Sequence, residues 1–152
     1  MTFKLSLLLT FLPLSACMSS TPAPYTYETA AKLSDNHVGI GTLCGEIERA
    51  RGVDVGNEEY DWLNKPRLED DLDILIAEYK KRHPKTSKKW LNHIRNGIVE
   101  IGMPEREAAC SWNMFMENEV VTARKHIKLY DSSYYFFYVN GRTGKVISFG
   151  EY

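Results

Sequence analysis

The stretch VVTARKHIKLYDSSYYFFYVNGRTGKVISF, residues 120–149, decides the fold. Apolar and polar residues alternate along two runs in it, 120–130 and 134–139, and a period of two is typical of half-buried strands. Asp131-Ser132-Ser133 provides a turn after the first run, and Asn140-Gly141 with Gly144 reverses the chain after the second. A third run then ends the stretch. These features predict a three-stranded antiparallel meander.

Helical patterns precede the predicted strands. An amphipathic stripe is formed by Leu68, Leu72, Leu75, Ile76 and Tyr79. Ser87 can cap the start of a second helix that stops at Gly97, and Pro104 can open a brief third helix that ends near Ser111. We therefore expect an α+β fold, a two-layer sandwich whose helices pack on the three-stranded meander.

The middle predicted strand carries large aromatic residues on both faces. Side chains alternate between the faces of a strand, so Tyr134, Phe136 and Tyr138 share one face. The other face carries Tyr135, Phe137 and Val139. Because helices can cover only one face, the second face is either hidden under residues 38–64 or offered to a partner. Tyr134, Phe136 and Tyr138 are the candidate partner-binding face.

The first residues have the features of an export signal. Lys4 precedes the apolar run LSLLLTFLPL, which is too short to span a bilayer and has the length of a secretory signal core. A Ser-Ala step then precedes Cys17. This pattern resembles the signal of bacterial lipoproteins, in which cleavage before the cysteine leaves that residue carrying acyl chains. It predicts a signal peptide over residues 1–16 and lipidation of Cys17; the alternative is an ordinary secretory signal followed by a cysteine.

Residues 17–36 are rich in Ser, Thr and Pro at their start and contain few large aliphatic residues. Such a composition buries too little apolar surface to offset its ordering entropy, so we expect a flexible tether. Met18 and Ser19 follow the cysteine, and the absence of aspartate there resembles the sorting signal for the outer membrane. We expect lipid attachment to the outer membrane facing the periplasm, with residues 37–152 forming one domain.

Three cysteines fit an exported chain. If Cys17 carries lipid, Cys44 and Cys110 remain as an even pair outside the reducing cytosol. A disulfide between them would stabilise the fold by about 4 kcal/mol in the chain-entropy model. The alternative is two separately buried free thiols.

The segment IRNGIVEIGMPEREAACSW, residues 94–112, followed by the predicted hairpins, resembles the SmpA/BamE-like outer-membrane lipoproteins. The matching residues are Gly102, Met103, Glu105, Glu107, Ala108 and Trp112. Pro104 departs from the family pattern, which usually has Thr or Ser there, and Asn113 replaces a glycine. The resemblance covers about residues 94–152. It implies helices packed on a sheet and a role as an accessory of outer-membrane β-barrel protein assembly or envelope integrity.

Motifs that carry chemistry are missing. The sequence contains no HExxH, CxxC or GxSxG, and its four histidines are scattered. Asp70, Asp71 and Asp73 lie near the start of the first predicted helix, where the helix dipole favours negative charge, and lack the glycine turn of a calcium loop. We therefore expect no enzyme activity, no catalytic residues, no metal, no cofactor and no small-molecule substrate.

Charge and anchoring leave protein partners as the expected ligands. Lys and Arg number 19 and Asp and Glu 20, giving a net charge of -1 and no global field that would attract nucleic acid. We expect contact with the membrane through the N-terminal lipid and a protein-protein interaction module that binds another envelope protein. The alternative is an inhibitor or sensor lipoprotein that binds an envelope enzyme.

Overall fold

The computed structural model describes residues 24–35, 39, 41–52 and 69–152, with the backbone alone at 69 and 70. Within these residues the chain forms five helices and one four-stranded sheet. The helices are α1 (Tyr27–Ala31), α2 (Leu43–Ala50), α3 (Glu69–Arg82), α4 (Lys88–Asn96) and α5 (Glu105–Trp112). The strands are β1 (Met116–Val121), β2 (His126–Asp131), β3 (Tyr135–Asn140) and β4 (Lys145–Glu151).

The sheet is an antiparallel meander in the order β1-β2-β3-β4. The predicted α+β class and the meander are confirmed, but the prediction of three strands is wrong because the sheet has four. The run predicted as one strand, residues 120–130, contains the turn between β1 and β2. At this turn Thr122 N donates to Lys125 O at 2.6 Å, and Thr122 Oγ1 accepts from Lys125 N at 2.9 Å. A threonine hydroxyl thus closes a hairpin that contains no Gly, Pro or Asn.

The ends of α4 and α5 follow the sequence signals. Ser87 Oγ accepts from Trp90 N at 3.3 Å, and Gly97 adopts the left-handed conformation after α4, with φ 64°. Pro104 occupies the N-cap position of α5, and Asn113 ends that helix with φ 50°. Asparagine tolerates this conformation better than most residues. The two helix ends place Trp112 against the sheet.

One core joins the helices to one face of the sheet. It includes fully buried residues from α2, α3 and α4 together with Met103, Phe137, Val139 and Val146. The helix that meets the sheet is α5, which contacts β4. We call the helix-covered face the inner face and the opposite face the outer face.

Helix α1 lies within residues 17–36, the segment predicted as a flexible tether. Its Ala30 is fully buried, and the Arg82 guanidinium at the end of α3 donates to the carbonyl oxygens of Ala30 and Leu33 at 3.0 Å each. The short helix α1 and the half-buried Arg82 side chain therefore hold residues 24–35 against α3, although the composition of this segment is polar. Residues 17–23 and 36 lie outside the described residues.

Cys44 and Cys110 form a disulfide, which confirms the predicted pairing. Their Cα atoms are 4.9 Å apart, and the bridge joins α2 to α5 across 66 residues of sequence. Both cysteines are buried, with 7% and 1% of their surface exposed. The glycine-containing segment 41–52 therefore belongs to the same folded unit as the C-terminal half.

Candidate interaction surface

The predicted partner-binding residues lie at the outer face. Phe136 pairs with Gly150 of β4 and Tyr138 with Ser148, and the rings of Phe136 and Tyr138 meet edge to face at 5.8 Å. Tyr134 lies just before β3 and is 70% exposed. The structure therefore brings Phe136 and Tyr138 together on one face and places Tyr134 at its border.

The alternate residues of β3 face the helices. Phe137 and Val139 are fully buried, and Phe137 stacks on Tyr130 with ring centroids 4.5 Å apart. Trp112 at the end of α5 contacts the ring of Tyr135 at 5.1 Å. The indole Nε1 also donates to Gly97 O at 2.9 Å, which fixes the ring over this face. Trp112 thus determines which aromatic face is covered.

Apolar residues of the outer face continue onto β2 and β1, with Asn118 opposite Leu129 and Asn140 opposite Ile127 between them. Leu129 pairs with Tyr138, and Ile127 pairs with Val120 of the edge strand, so these side chains lie on the same face as Tyr138. Val120 is 50% exposed, and Leu129 and Ile127 are half-buried. No described helix packs on this strip. The alternation of Ile127 and Leu129 in the sequence indicates that they share a face. Their pairing partners could not be predicted, because the hairpin of β1 and β2 was predicted as one strand.

Tyr152 extends the strip at its C-terminal end. Its ring lies 5.2 Å from that of Phe136, and its hydroxyl donates to the Asp131 carboxylate at 3.0 Å. This hydrogen bond raises the pKa of Tyr152. Gly150 lies under Phe136, because an added Cβ would come within 2.8 Å of Phe136 Cζ. The outer face therefore offers aromatic bodies with polar tips, a composition typical of protein interfaces.

A groove of about 670 Å³ opens on the inner side, between the start of α5 and the first two strands. It is lined by Pro104, Glu105, Met114, Phe115, Met116, Lys128 and Tyr130, among others. Helix α5 covers the inner face at β3 and β4. The groove lies over the inner face at β1 and β2, which the described helices leave open. Phe115 is 64% exposed and Met116 is 46% exposed beside it.

Three polar groups within the groove satisfy one another. Glu105 accepts from Lys128 Nζ at 2.9 Å and from the Tyr130 hydroxyl at 2.5 Å. Burial raises the pKa of Tyr130, and the hydrogen bond to the carboxylate adds to the effect. The Tyr130 hydroxyl therefore favours its protonated form and donates to a carboxylate that is already paired with Lys128.

A second polar cluster lies in the core between α3 and α5. Glu107 accepts from Thr86 Oγ1 at 2.8 Å, while its second oxygen and the Tyr79 hydroxyl are buried without a hydrogen-bond partner among the described residues. Burial raises the pKa of Tyr79 and lowers that of His83, whose ring lies 4.5 Å from Tyr79. Glu107 and Tyr79 are buried, with 3% and 1% of their surface exposed, and Glu107 also lines the groove.

The described part of the chain contains no group of three His, Cys, Asp or Glu residues arranged to hold a metal ion. Among the same residues, no helix is both long enough and apolar enough to cross a membrane. The predicted lipidation site, Cys17, and the predicted signal peptide, residues 1–16, lie outside the described residues. Of the sequence-predicted sites, the structure therefore places the disulfide and the aromatic face.

Comparison of the chain with protein-family models, with curated proteins and with solved structures finds no match in any of the three. The resemblance to SmpA/BamE-like lipoproteins stays a prediction from the residues quoted above.

Proposed function

We propose that this chain is a lipid-anchored lipoprotein of the outer membrane, facing the periplasm, that acts as a protein-protein interaction module. Its role is accessory to β-barrel protein assembly or to envelope integrity, and it performs no chemistry of its own. The fold that serves this role is a two-layer arrangement, with helices on the inner face and the outer face presented to the partner.

The observation that carries the proposal is the apolar outer face. Leu129, Phe136 and Tyr138 form a continuous strip that no described helix covers, and Tyr152 lengthens it. Tyrosine suits a surface that is exposed to water in the free protein and buried in a complex, because its ring is apolar and its hydroxyl can be hydrated. Aromatic residues are also enriched among the side chains that contribute most to binding energy.

The resemblance of residues 94–152 to the SmpA/BamE-like lipoproteins supports the narrower role. Met103 is fully buried, Gly102 has φ 87° at the entry to α5, and Trp112 holds the sheet. These three matching residues build the scaffold. They therefore support the fold of that family more directly than its partner.

A cross-linking pulldown from detergent-solubilised membranes tests the interaction. We expect the full-length chain to retain an envelope protein, and the double variant Tyr138→Ser with Tyr152→Ser to lose it. Tyr27→Ser is the matched control, because Tyr27 is 67% exposed and belongs to α1, which packs against α3. Recovery of no envelope protein beside an active control lipoprotein, or equal recovery by all variants, would contradict the proposal. Recovery of an envelope enzyme would instead favour an inhibitor or sensor.

Anchoring is tested separately at Cys17. Mass spectrometry of the wild-type chain should find an acylated Cys17 at the N-terminus, and Cys17→Ala should leave an unacylated precursor or an aberrantly cleaved soluble chain. A free amino terminus at any other residue of the wild type would return the chain to the ordinary secreted class.

A further inference from the structure

The first described residues are folded onto the domain and shorten its link to Cys17. Tyr25 N donates to Asp71 Oδ1 at 2.7 Å at the start of α3, and α1 packs along the same helix. Residues 18–23 alone therefore separate Cys17 from Pro24, the first described residue. Even fully extended, a link of this length spans no more than about 25 Å. An acyl chain on Cys17 would hold the domain close to the lipid surface.

The link leaves the domain at an end that several elements share. Asp73 near the start of α3 forms an ion pair with Arg95 near the end of α4. Trp112 at the end of α5 donates from Nε1 to Gly97 O at 2.9 Å, just after α4. The Trp112 ring lies 5.1 Å from that of Tyr135, at the start of β3. The start of α3, the ends of α4 and α5 and the start of β3 therefore lie at the end of the domain that the link leaves.

Four large apolar side chains are exposed at this end. Ile98 follows α4 and is 45% exposed, and Phe115 follows α5 and is 64% exposed. Tyr135 and Phe149 are 41% and 44% exposed, and both rings contact Trp112. We call Ile98, Phe115, Tyr135 and Phe149 the apolar end. Amphipathic aromatic rings are enriched at membrane–water interfaces, so the composition of the apolar end suits a lipid surface.

Charge beside the apolar end selects the lipid. Asp131 and Glu151 end β2 and β4, and Glu117 is the second residue of β1, so three carboxylates lie at the same end of the sheet. The cation at the end of α4, Arg95, is already paired with Asp73. The carboxylates would repel anionic headgroups, whereas they attract the ammonium of a zwitterionic headgroup such as phosphatidylethanolamine.

Exposed lysines lie at the opposite end of α3. Lys81 belongs to its last turn, and Lys85 and Lys88 follow it; all three are exposed. Helix α3 has 14 residues, so a rise of 1.5 Å per residue separates its two ends by about 20 Å. Salt screens charges over about 8–10 Å at physiological ionic strength. These lysines therefore contribute little to binding at the apolar end.

We propose that the apolar end lies against a zwitterionic lipid surface, with its side chains in the headgroup region and the lysine-bearing end of α3 pointing away from the membrane. The acyl chains on Cys17 provide the attachment, and the short link brings the apolar end to the surface. The inference rests on the proposed lipid anchor. It assigns lipid to the apolar end and leaves the outer face to the protein partner.

Tryptophan fluorescence tests this orientation. Trp112 contacts the apolar end, while Trp90 lies beside Lys89 at the start of α4. The acylated full-length chain with Trp62→Phe and Trp90→Phe reports on Trp112, and the chain with Trp62→Phe alone then gives Trp90 by difference. Both are reconstituted into vesicles of phosphatidylcholine and phosphatidylethanolamine with acyl chains brominated near the headgroup. We expect bromine to reduce Trp112 emission about twofold and Trp90 emission by less than about a tenth, since Trp90 lies toward the far end of the helices.

A matched pair of variants tests the contact itself. Phe115→Ser removes an exposed ring from the apolar end, and Val121→Ser is the control, because Val121 is 66% exposed at the far end of β1. In the chain that reports on Trp112, Phe115→Ser should relieve the quenching and Val121→Ser should leave it unchanged. Circular dichroism melts confirm that each variant folds. Equal quenching of Trp90 and Trp112, or equal effects of the two variants, would overturn the proposal.

Lipid charge and flotation separate the remaining outcomes. Replacing phosphatidylethanolamine with anionic phosphatidylglycerol should weaken the quenching of Trp112. Quenching of Trp90 that grows with anionic lipid would overturn the proposal, because the lysines would then face the membrane. An acylated chain that floats with the vesicles without quenching of Trp112 would contradict the lipid contact alone and leave the apolar end to a protein. A chain that does not float would contradict the anchor and, with it, the lipid contact.

Discussion

Reduction of the Cys44–Cys110 disulfide should lower stability through the unfolded state. The bridge closes 66 residues of sequence, and the chain-entropy model assigns to a loop of this length about 4 kcal/mol of the free energy of unfolding. For a domain of this size that loss corresponds to a fall in Tm of roughly 10–20 °C. Both sulfur atoms lie in the core, so the reduced thiols remain buried and few native contacts change.

Urea unfolding followed by circular dichroism, with and without dithiothreitol, measures the effect. The midpoint should fall on reduction, and the dependence on denaturant should steepen because the unlinked unfolded chain exposes more surface. The double variant Cys44→Ala with Cys110→Ala should match the reduced wild type apart from a small packing loss, and dithiothreitol should not affect it. The variant is therefore the control for the reductant.

Two results would refute this reasoning. A midpoint unchanged by reduction would mean that the bridge contributes nothing to the free energy of unfolding. A lower midpoint with an unchanged slope and altered native chemical shifts would mean that the bridge acts by holding native contacts, and the entropic account would then be wrong.

Two further predictions concern buried charge. Arg51 Nη1 donates to Ile94 O at 2.9 Å and to Ser111 O at 2.7 Å, so Arg51→Lys should lower the free energy of unfolding by about 2 kcal/mol in urea titrations. Arg142→Lys is the control, because it loses one exposed hydrogen bond to a carbonyl and should lower the free energy of unfolding by less than about 1 kcal/mol. Equal losses in the two variants would mean that the two Arg51 hydrogen bonds add no extra stability. Burial and the nearby Arg106 guanidinium lower the pKa of His83, although the Asp35 carboxylate, 3.5 Å from His83 Nε2, acts in the opposite direction. Below the unfolded pKa of about 6.5, the unfolded chain therefore binds a proton at His83 that the folded chain does not. The free energy of unfolding should therefore fall as the pH drops from 7 toward 5.5, and His83→Gln should flatten that dependence; an unchanged slope in this variant would assign the effect to another group.

The helix ends could be predicted from sequence because each depends on one residue and its local backbone. Ser87, Gly97 and Asn113 have side chains or conformational freedom that suit one position at a helix terminus, and the structure places each of them there. The turn between β1 and β2 could not be predicted in this way. Thr122 closes it with a hydroxyl, and threonine is common within strands, so composition favoured one long strand over two short ones.

The candidate surface was predictable only in part. Alternation along β3 separates Phe136 and Tyr138 from Phe137, but alternation cannot say which set is buried. That choice depends on Trp112, whose ring reaches Tyr135 from the end of α5, and on the pairing of Phe137 with Tyr130. Both are tertiary contacts. Tyr152 belongs to the outer face because its ring contacts that of Phe136. No local pattern in the sequence indicates this contact.

Two interactions of different kinds hold helix α2 against α4 and α5. The disulfide joins Cys44 to α5, while Arg51, just after the helix, donates to carbonyl oxygens at the C-terminal ends of α4 and α5. Asn113 adds a contact of 2.6 Å from its side-chain nitrogen to Glu48. Because these hydrogen bonds do not need the bridge, α2 should stay docked in the reduced native state.

Both interactions lie on the helical side of the molecule, while the outer face lies on the opposite side of the sheet. Reduction should therefore lower stability without changing the affinity of the outer face for its partner, as long as the chain remains folded. Recovery of the partner by the reduced and oxidised chains in the cross-linking pulldown, below the melting temperature, tests this separation. A large difference in affinity would mean that the disulfide positions the sheet as well as stabilising the fold.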